Sequence, residues 1–117
     1  TALREAEEEI GIDSTQVSIL GELTPLYIPV SNYMVHPFVG VSNISPEFRI
    51  HPLEVQELIE VELDTLISDG NKKTAERFVK LKNADVQVPC YEIKGAIIWG
   101  ATAMIISEFS EIIKRIR

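Results

Sequence analysis

At 117 residues, with 45% hydrophobic and 25% charged positions, the chain has the length for one hydrophobic core and the composition of a folded domain. Its net charge of −7 excludes a sequence-independent grip on nucleic acid, which needs clustered Lys and Arg, and admits an anionic substrate only through a mediating cation. The longest apolar run, Ala96 to Ile106, is too short to cross a bilayer, and the single cysteine, Cys90, excludes an internal disulfide and fits a reducing, cytoplasmic setting.

The first predicted element is a helix from Ala2 to Ile10. Its residues are mostly good helix formers, and Gly11 ends the pattern as a left-handed terminal residue does. Glu5, Glu8 and Glu9 stand at i, i+3 and i+4 and share a face, with Glu7 turned away. Like charges at that spacing cost a few tenths of a kcal/mol per pair. The face is therefore either simply solvated or a collector of something cationic. The chain has no initiator Met and begins inside this helical pattern. We expect it to be the C-terminal portion of a longer product.

Val17 to Leu23 has the β-branched alternation of a strand. Pro25 and Pro29 then limit the chain to a loop with short extended pieces. Met34 to Asn43 reads as a second strand, with Pro37 marking an edge or a bulge, and the proline-bounded stretch after it reads as a loop. A strand is expected near Leu58 to Glu62, then a short helix from Leu63 closed by Gly70, then a turn over Gly70 to Lys73. Two strands, Glu76 to Lys82 and Val86 to Gly95, form a predicted hairpin joined by Asn-Ala-Asp-Val. From Ile97 to Arg117 the pattern predicts one helix of about five turns. Its apolar face is Ile98, Ala101, Ile105, Phe109, Ile112 and Ile116, and Lys114, Arg115 and Arg117 suit its negative end. The order implies an α/β fold: one domain, 1–117, with helices on both faces of a mixed sheet.

The stretch REAEEEIGI (Arg4 to Ile12) resembles the second half of the Nudix box, Gly-x5-Glu-x7-Arg-Glu-U-x-Glu-Glu-x-Gly-U, where U is aliphatic. Arg4, Glu5, Ala6, Glu8, Glu9, Gly11 and Ile12 fill every fixed position of that half; the first half, Gly-x5-Glu, is absent. The resemblance implies a Nudix-type α/β/α sandwich, N-terminally truncated here, and Mg²⁺- or Mn²⁺-dependent pyrophosphohydrolase activity. It implies Glu5 and Glu9 as the main metal ligands, and Glu8 as a supporting ligand or the partner that orients Arg4. Mg²⁺ prefers carboxylate oxygens and keeps several waters, which suits carboxylates one helical turn apart.

Three further stretches resemble the coenzyme A pyrophosphatase branch: Leu23 to Gly40, His51 to Ile67, and the Ile-Trp-Gly-Ala-Thr-Ala start within Ile97 to Ile106. The implied reaction splits the diphosphate of CoA or an acyl-CoA into 3′,5′-ADP and a 4′-phosphopantetheine product. Glu9 and Glu54 are the implied catalytic carboxylates, Glu54 as general base or extra ligand, with Glu57 a weaker candidate. Ser31, Asn32, Tyr33, His36 and His51 are candidates to line the pocket. Trp99 and Cys90 read as core, and Thr102 as a helix-bonded hydroxyl. The implied partner is a small nucleotide or CoA-type substrate, with neither nucleic acid nor membrane; a homodimer would complete the sheet edge left open. Two readings stand beside this one. The substrate could instead be ADP-ribose, a dinucleotide or a nucleoside triphosphate. With half the box absent, the chain could also be an inactive fragment or a non-catalytic binding module.

Overall fold

The computed structural model describes residues 1–53 and 58–116. Two compact units emerge: Thr1–Glu22 with Phe38–Glu60, and Leu23–Pro37 with Val61–Arg117.

In the first unit, helix α1 (Ala2–Ile10) forms as the sequence predicts. Gly11 ends it at φ 74° and ψ 18°, its N–H returning to the Glu7 carbonyl, a conformation that any side chain would strain. Leu3, Ala6 and Ile10 make the half-buried stripe of the helix. A 3₁₀ turn (Ser14–Gln16) follows, capped by the Asp13 carboxylate, which accepts from the Thr15 N–H. Strand β1 (Val17–Glu22) pairs antiparallel with β4 (Phe38–Ser42). Ile19 faces Gly40 and Gly21 faces Val39, so Leu20 is the extra residue of a bulge. Gly40 has no room for a side chain, since a Cβ there would lie 2.8 Å from a Val17 methyl.

Among the described residues, the buried hydrophobic ones, Leu23, Cys90, Tyr91, Ile93 and Ala103, all lie in the second unit. Strands β2 (Leu26–Ile28) and β3 (Tyr33–Val35) form a hairpin whose tip places Asn32 at φ 57°, where its side-chain carbonyl accepts from the Tyr27 hydroxyl at 2.6 Å. A short helix α2 (Leu63–Leu66) and a 3₁₀ turn (Asp69–Asn71) lead into a three-stranded antiparallel sheet: β5 (Lys72–Val79), β6 (Ala84–Ile93) and β7 (Ala96–Trp99). Strands β6 and β7 are joined by Lys94 and Gly95, both at positive φ, the pattern of a two-residue hairpin turn. Pro89 pairs with Thr74 of β5, while the β7 pairing starts only at Cys90. Helix α3 (Gly100–Ile116) packs on β6 and β7. The Glu108 carboxylate accepts from the Thr24 N–H at 2.8 Å, and Lys114 reaches Asp69 at 2.8 Å.

Several expectations need correction. Met34 to Asn43 is not one strand: His36 and Pro37 break it, leaving β3 and β4 in different pairs. Proline supplies no ladder donor, which explains the break. Leu58 to Glu62 forms no strand. The expected turn over Gly70 to Lys73 is shorter, because Lys72 and Lys73 already lie in β5. The β5–β6 loop is Lys80 to Asn83 rather than Asn83 to Val86. Ile97 to Trp99 lies in β7, and the helix begins at Gly100, whose φ of 68° marks the change of direction. On α3 the buried positions are Ala103 and Ser110, whereas Ile112 and Ile116 are exposed. The small residues allow the helix backbone close to the sheet, so they set the buried face in place of the larger isoleucines. Every strand pair among the described residues is antiparallel, in place of the expected mixed sheet. No described helix is long and apolar enough to cross a membrane.

Candidate functional site

The C-terminal end of α1 is tied to a segment far along the chain. A helix leaves its last carbonyls without intrahelical partners. Here the Arg49 N–H donates to the Ile10 carbonyl and the His51 N–H to the Glu9 carbonyl, both at 2.7 Å. The proline-bounded segment thus lies along the helix end and satisfies two acceptors that would otherwise need water.

This arrangement borders a cleft of about 780 Å³. Glu7 and Glu8 line it from α1, with Gly11 and Asp13 just beyond. Glu47, Arg49 and His51 line it from the opposing segment. The Asp13 carboxylate is held below the usual carboxylate value, first by the Thr15 hydroxyl at 2.6 Å and then by the Thr15 N–H.

Glu5 and Glu8 are exposed and Glu9 is half-buried. Of the three, only Glu8 lines the cleft. Their carboxylates make no hydrogen bond or ion pair with other described residues. Arg4 likewise forms no ion pair with Glu8 among the described residues. No group of three or more His, Cys, Asp or Glu side chains is gathered in a metal-holding arrangement among the described residues. The donor set nonetheless suits Mg²⁺, which accepts one or two carboxylates and retains water in its remaining positions.

Glu54 and Glu57 lie outside the described residues. His51 borders the cleft, and its neighbour Arg49 was not singled out from the sequence. Nothing in the periodicity marks Arg49; its signal is only a basic residue in a stretch closed by prolines. Ser31, Asn32, Tyr33 and His36 belong to the second unit, where Tyr33 is 70% exposed. That unit has its own cleft, about 490 Å³, with Lys72, Lys73, Cys90, Tyr91, Trp99 and Met104 among its lining. Trp99 is 37% exposed there and is not a core residue. Cys90 is buried, as expected of a small hydrophobe.

No family model matches the chain. Over 113 residues it is 35% identical to the protein named "Uncharacterized Nudix hydrolase NudL" of Photorhabdus laumondii, covering 95% of this chain and 58% of that protein. It is 36% identical over 111 residues to proteins of the same name from Yersinia pestis and Yersinia pseudotuberculosis, covering 95% of this chain and 54% of each. The chain therefore spans just over half the length of the curated relatives it matches.

Proposed function

We propose that the chain is the part of a Nudix hydrolase that carries the metal-holding helix, and that its activity is divalent-metal-dependent cleavage of a diphosphate linkage. The observation that carries this reading is α1 itself. Arg4, Glu5, Ala6, Glu8 and Glu9 sit on one helix that Gly11 terminates and Ile12 follows, and the carboxylates of Glu5, Glu8 and Glu9 have no partner among the described residues. The similarity to proteins named Nudix hydrolase runs along nearly the whole chain and supports it.

Glu5 and Glu9, one helical turn apart, would hold Mg²⁺ or Mn²⁺, with Glu8 as the supporting carboxylate. When bound, the ion supplies Lewis acidity toward a phosphoryl oxygen and lowers the pKa of a coordinated water. The protein's own contribution is to fix the helix. Gly11 turns the chain out of it, and Arg49 and His51 clamp its last carbonyls. Glu9 is thereby held at the backbone, while its carboxylate has no partner among the described residues. Glu54 is the proposed general base or extra ligand.

The proposed substrate is CoA or an acyl-CoA, cleaved to 3′,5′-ADP and 4′-phosphopantetheine or its acyl form, in the cytoplasm. The support is the likeness of Leu23 to Gly40, His51 to Ile67 and Ile97 to Ile106 to the CoA pyrophosphatase branch. ADP-ribose, a dinucleotide or a nucleoside triphosphate would use the same chemistry. The alternative reading is a non-catalytic binding module, which would hold a nucleotide without cleaving it. A second copy of the chain is the proposed partner in a homodimer.

Incubation of the purified protein with CoA, acetyl-CoA, ADP-ribose, a dinucleotide and nucleoside triphosphates, with and without Mg²⁺ or Mn²⁺, tests this reading. Metal-dependent 3′,5′-ADP from CoA, identified by mass, is the expected result. Cleavage confined to another member of the panel moves the substrate assignment. Absence of any cleavage favours the binding module.

A further inference from the structure

We infer that Arg49 is a substrate-binding residue, the group that grips the diphosphate of the ligand beside the carboxylates of α1. This rests on the hydrolase reading above. Three observations lead to it.

The first is attachment. The Arg49 N–H donates to the Ile10 carbonyl, and two residues on the His51 N–H donates to the Glu9 carbonyl, each at 2.7 Å. Arg49 also lies directly against Gly11, within 2.7 Å of where a Cβ would stand. Its backbone is thus fixed to the helix end that presents Glu9, and this fixing does not involve the side chain.

The second is location. Arg49 lines the same cleft as Glu7 and Glu8.

The third is an unmet pairing. Glu7, Glu8, Asp13 and Glu47 all border that cleft, yet Arg49 makes no side-chain hydrogen bond or ion pair with any described residue. A guanidinium presents a planar fork of donors that matches two oxygens of a phosphate, a geometry a lysine does not offer. Here Arg49 is exposed, and its fork has no partner among the described residues. Glu8 is the one proposed ligand that borders this cleft; a cation held there would cancel the repulsion of a diphosphate, and Arg49 would then supply the directional contact that places the anion.

The test is titration of ADP in the presence of Mg²⁺ into the wild-type protein and into R49A, R49Q and R49K. Steady-state kinetics on whichever diphosphate the wild type cleaves accompany it, with K80A as a surface control. R49A and R49Q should weaken Mg-ADP binding roughly 10- to 100-fold, the worth of charge-assisted hydrogen bonds. KM should rise more than kcat falls, R49K should recover only part of the loss, and K80A should match the wild type. R49Q keeps much of the stem that lies beside Gly11, so it decides the matter if R49A folds poorly. Amide exchange at His51 should stay protected in R49Q. Unchanged Mg-ADP affinity in R49Q overturns the assignment of Arg49 alone. A wild-type protein that neither binds Mg-ADP nor cleaves any diphosphate overturns the hydrolase reading, and this inference with it.

Discussion

A Cβ on Gly11 would stand 2.7 Å from the Cβ of Arg49 and 3.0 Å from its backbone nitrogen, so the helix end and the clamping segment meet where no side chain fits. Gly11 also has φ 74°, which an L-residue adopts only under strain. Gly11→Ala should therefore destabilise the first unit by about 1–3 kcal/mol. Urea denaturation gives the magnitude, and amide exchange at Arg49 and His51 locates the damage. Full retention of those two protected amides would contradict the clamp.

Glu9→Gln separates ligation from folding. Replacing one of several like charges on a helix by its neutral isostere keeps the shape and can relieve repulsion. The expected outcome is an unchanged or slightly raised melting temperature, with kcat down by on the order of 10²-fold or more. Chelation of the wild type by EDTA should mimic the loss, and added Mg²⁺ should reverse it. Turnover close to wild type in Glu9→Gln would remove Glu9 from the ligand set.

Ser110 offers a test of the second unit. It is 2% exposed, and its hydroxyl has no hydrogen-bond partner among the described residues. A buried, unsatisfied hydroxyl costs about 1–3 kcal/mol, and alanine is the better helix former. Ser110→Ala should raise stability, with the gain read from the denaturation midpoint. A clear loss of stability would show that the hydroxyl is satisfied after all.

Lys114 and Asp69 give a pH signature. Hydrogen bonds from Lys114 first, then Lys72, hold the Asp69 carboxyl below its ordinary value of 3.8. Contact with Asp69 holds Lys114 above its ordinary 10.5. The carboxylate contribution is complete above the unfolded value of 3.8 and fades as pH falls through the lower folded one. The lysine contribution is complete below 10.5 and fades as pH rises through the higher folded one. Asp69→Asn should therefore lower the melting temperature slightly and evenly around neutral pH, and flatten the loss at the acid end. Asp69 is exposed and Lys114 only half-buried, so added salt should shrink the difference. Identical acid limbs in wild type and variant would remove the tether.

What the sequence revealed best was the helix from Ala2 to Ile10, because local chemistry decides it: helix formers, then a glycine able to adopt positive φ. The β5–β6 hairpin was legible for a similar reason, with apolar residues alternating on both strands. The β6–β7 turn was missed, since Lys94 takes a positive φ of 52° that its side chain does not advertise. Ile97 to Trp99 misled because an apolar run beside a helix carries no period of its own. The phase of α3 failed because its buried face is chosen by the small Ala103 and Ser110, a tertiary decision. In the candidate site, the glutamates were visible as a spacing on one helix. Arg49 was not, because its placement depends on two backbone hydrogen bonds between segments far apart in sequence.

Pro89 bears on how the protein behaves when concentrated. It stands in the strand at the middle of its sheet, at the residue where the register with the third strand stops. Among the described residues no strand pairs with that side of β6 from Ala84 to Pro89, so it offers a border onto which a neighbouring molecule could zip its own backbone. A residue without an N–H interrupts such zipping at the point where the border begins. Pro89→Val should leave the hairpin paired and make the solution more prone to fibrillar association, visible as faster growth of light scattering at high concentration.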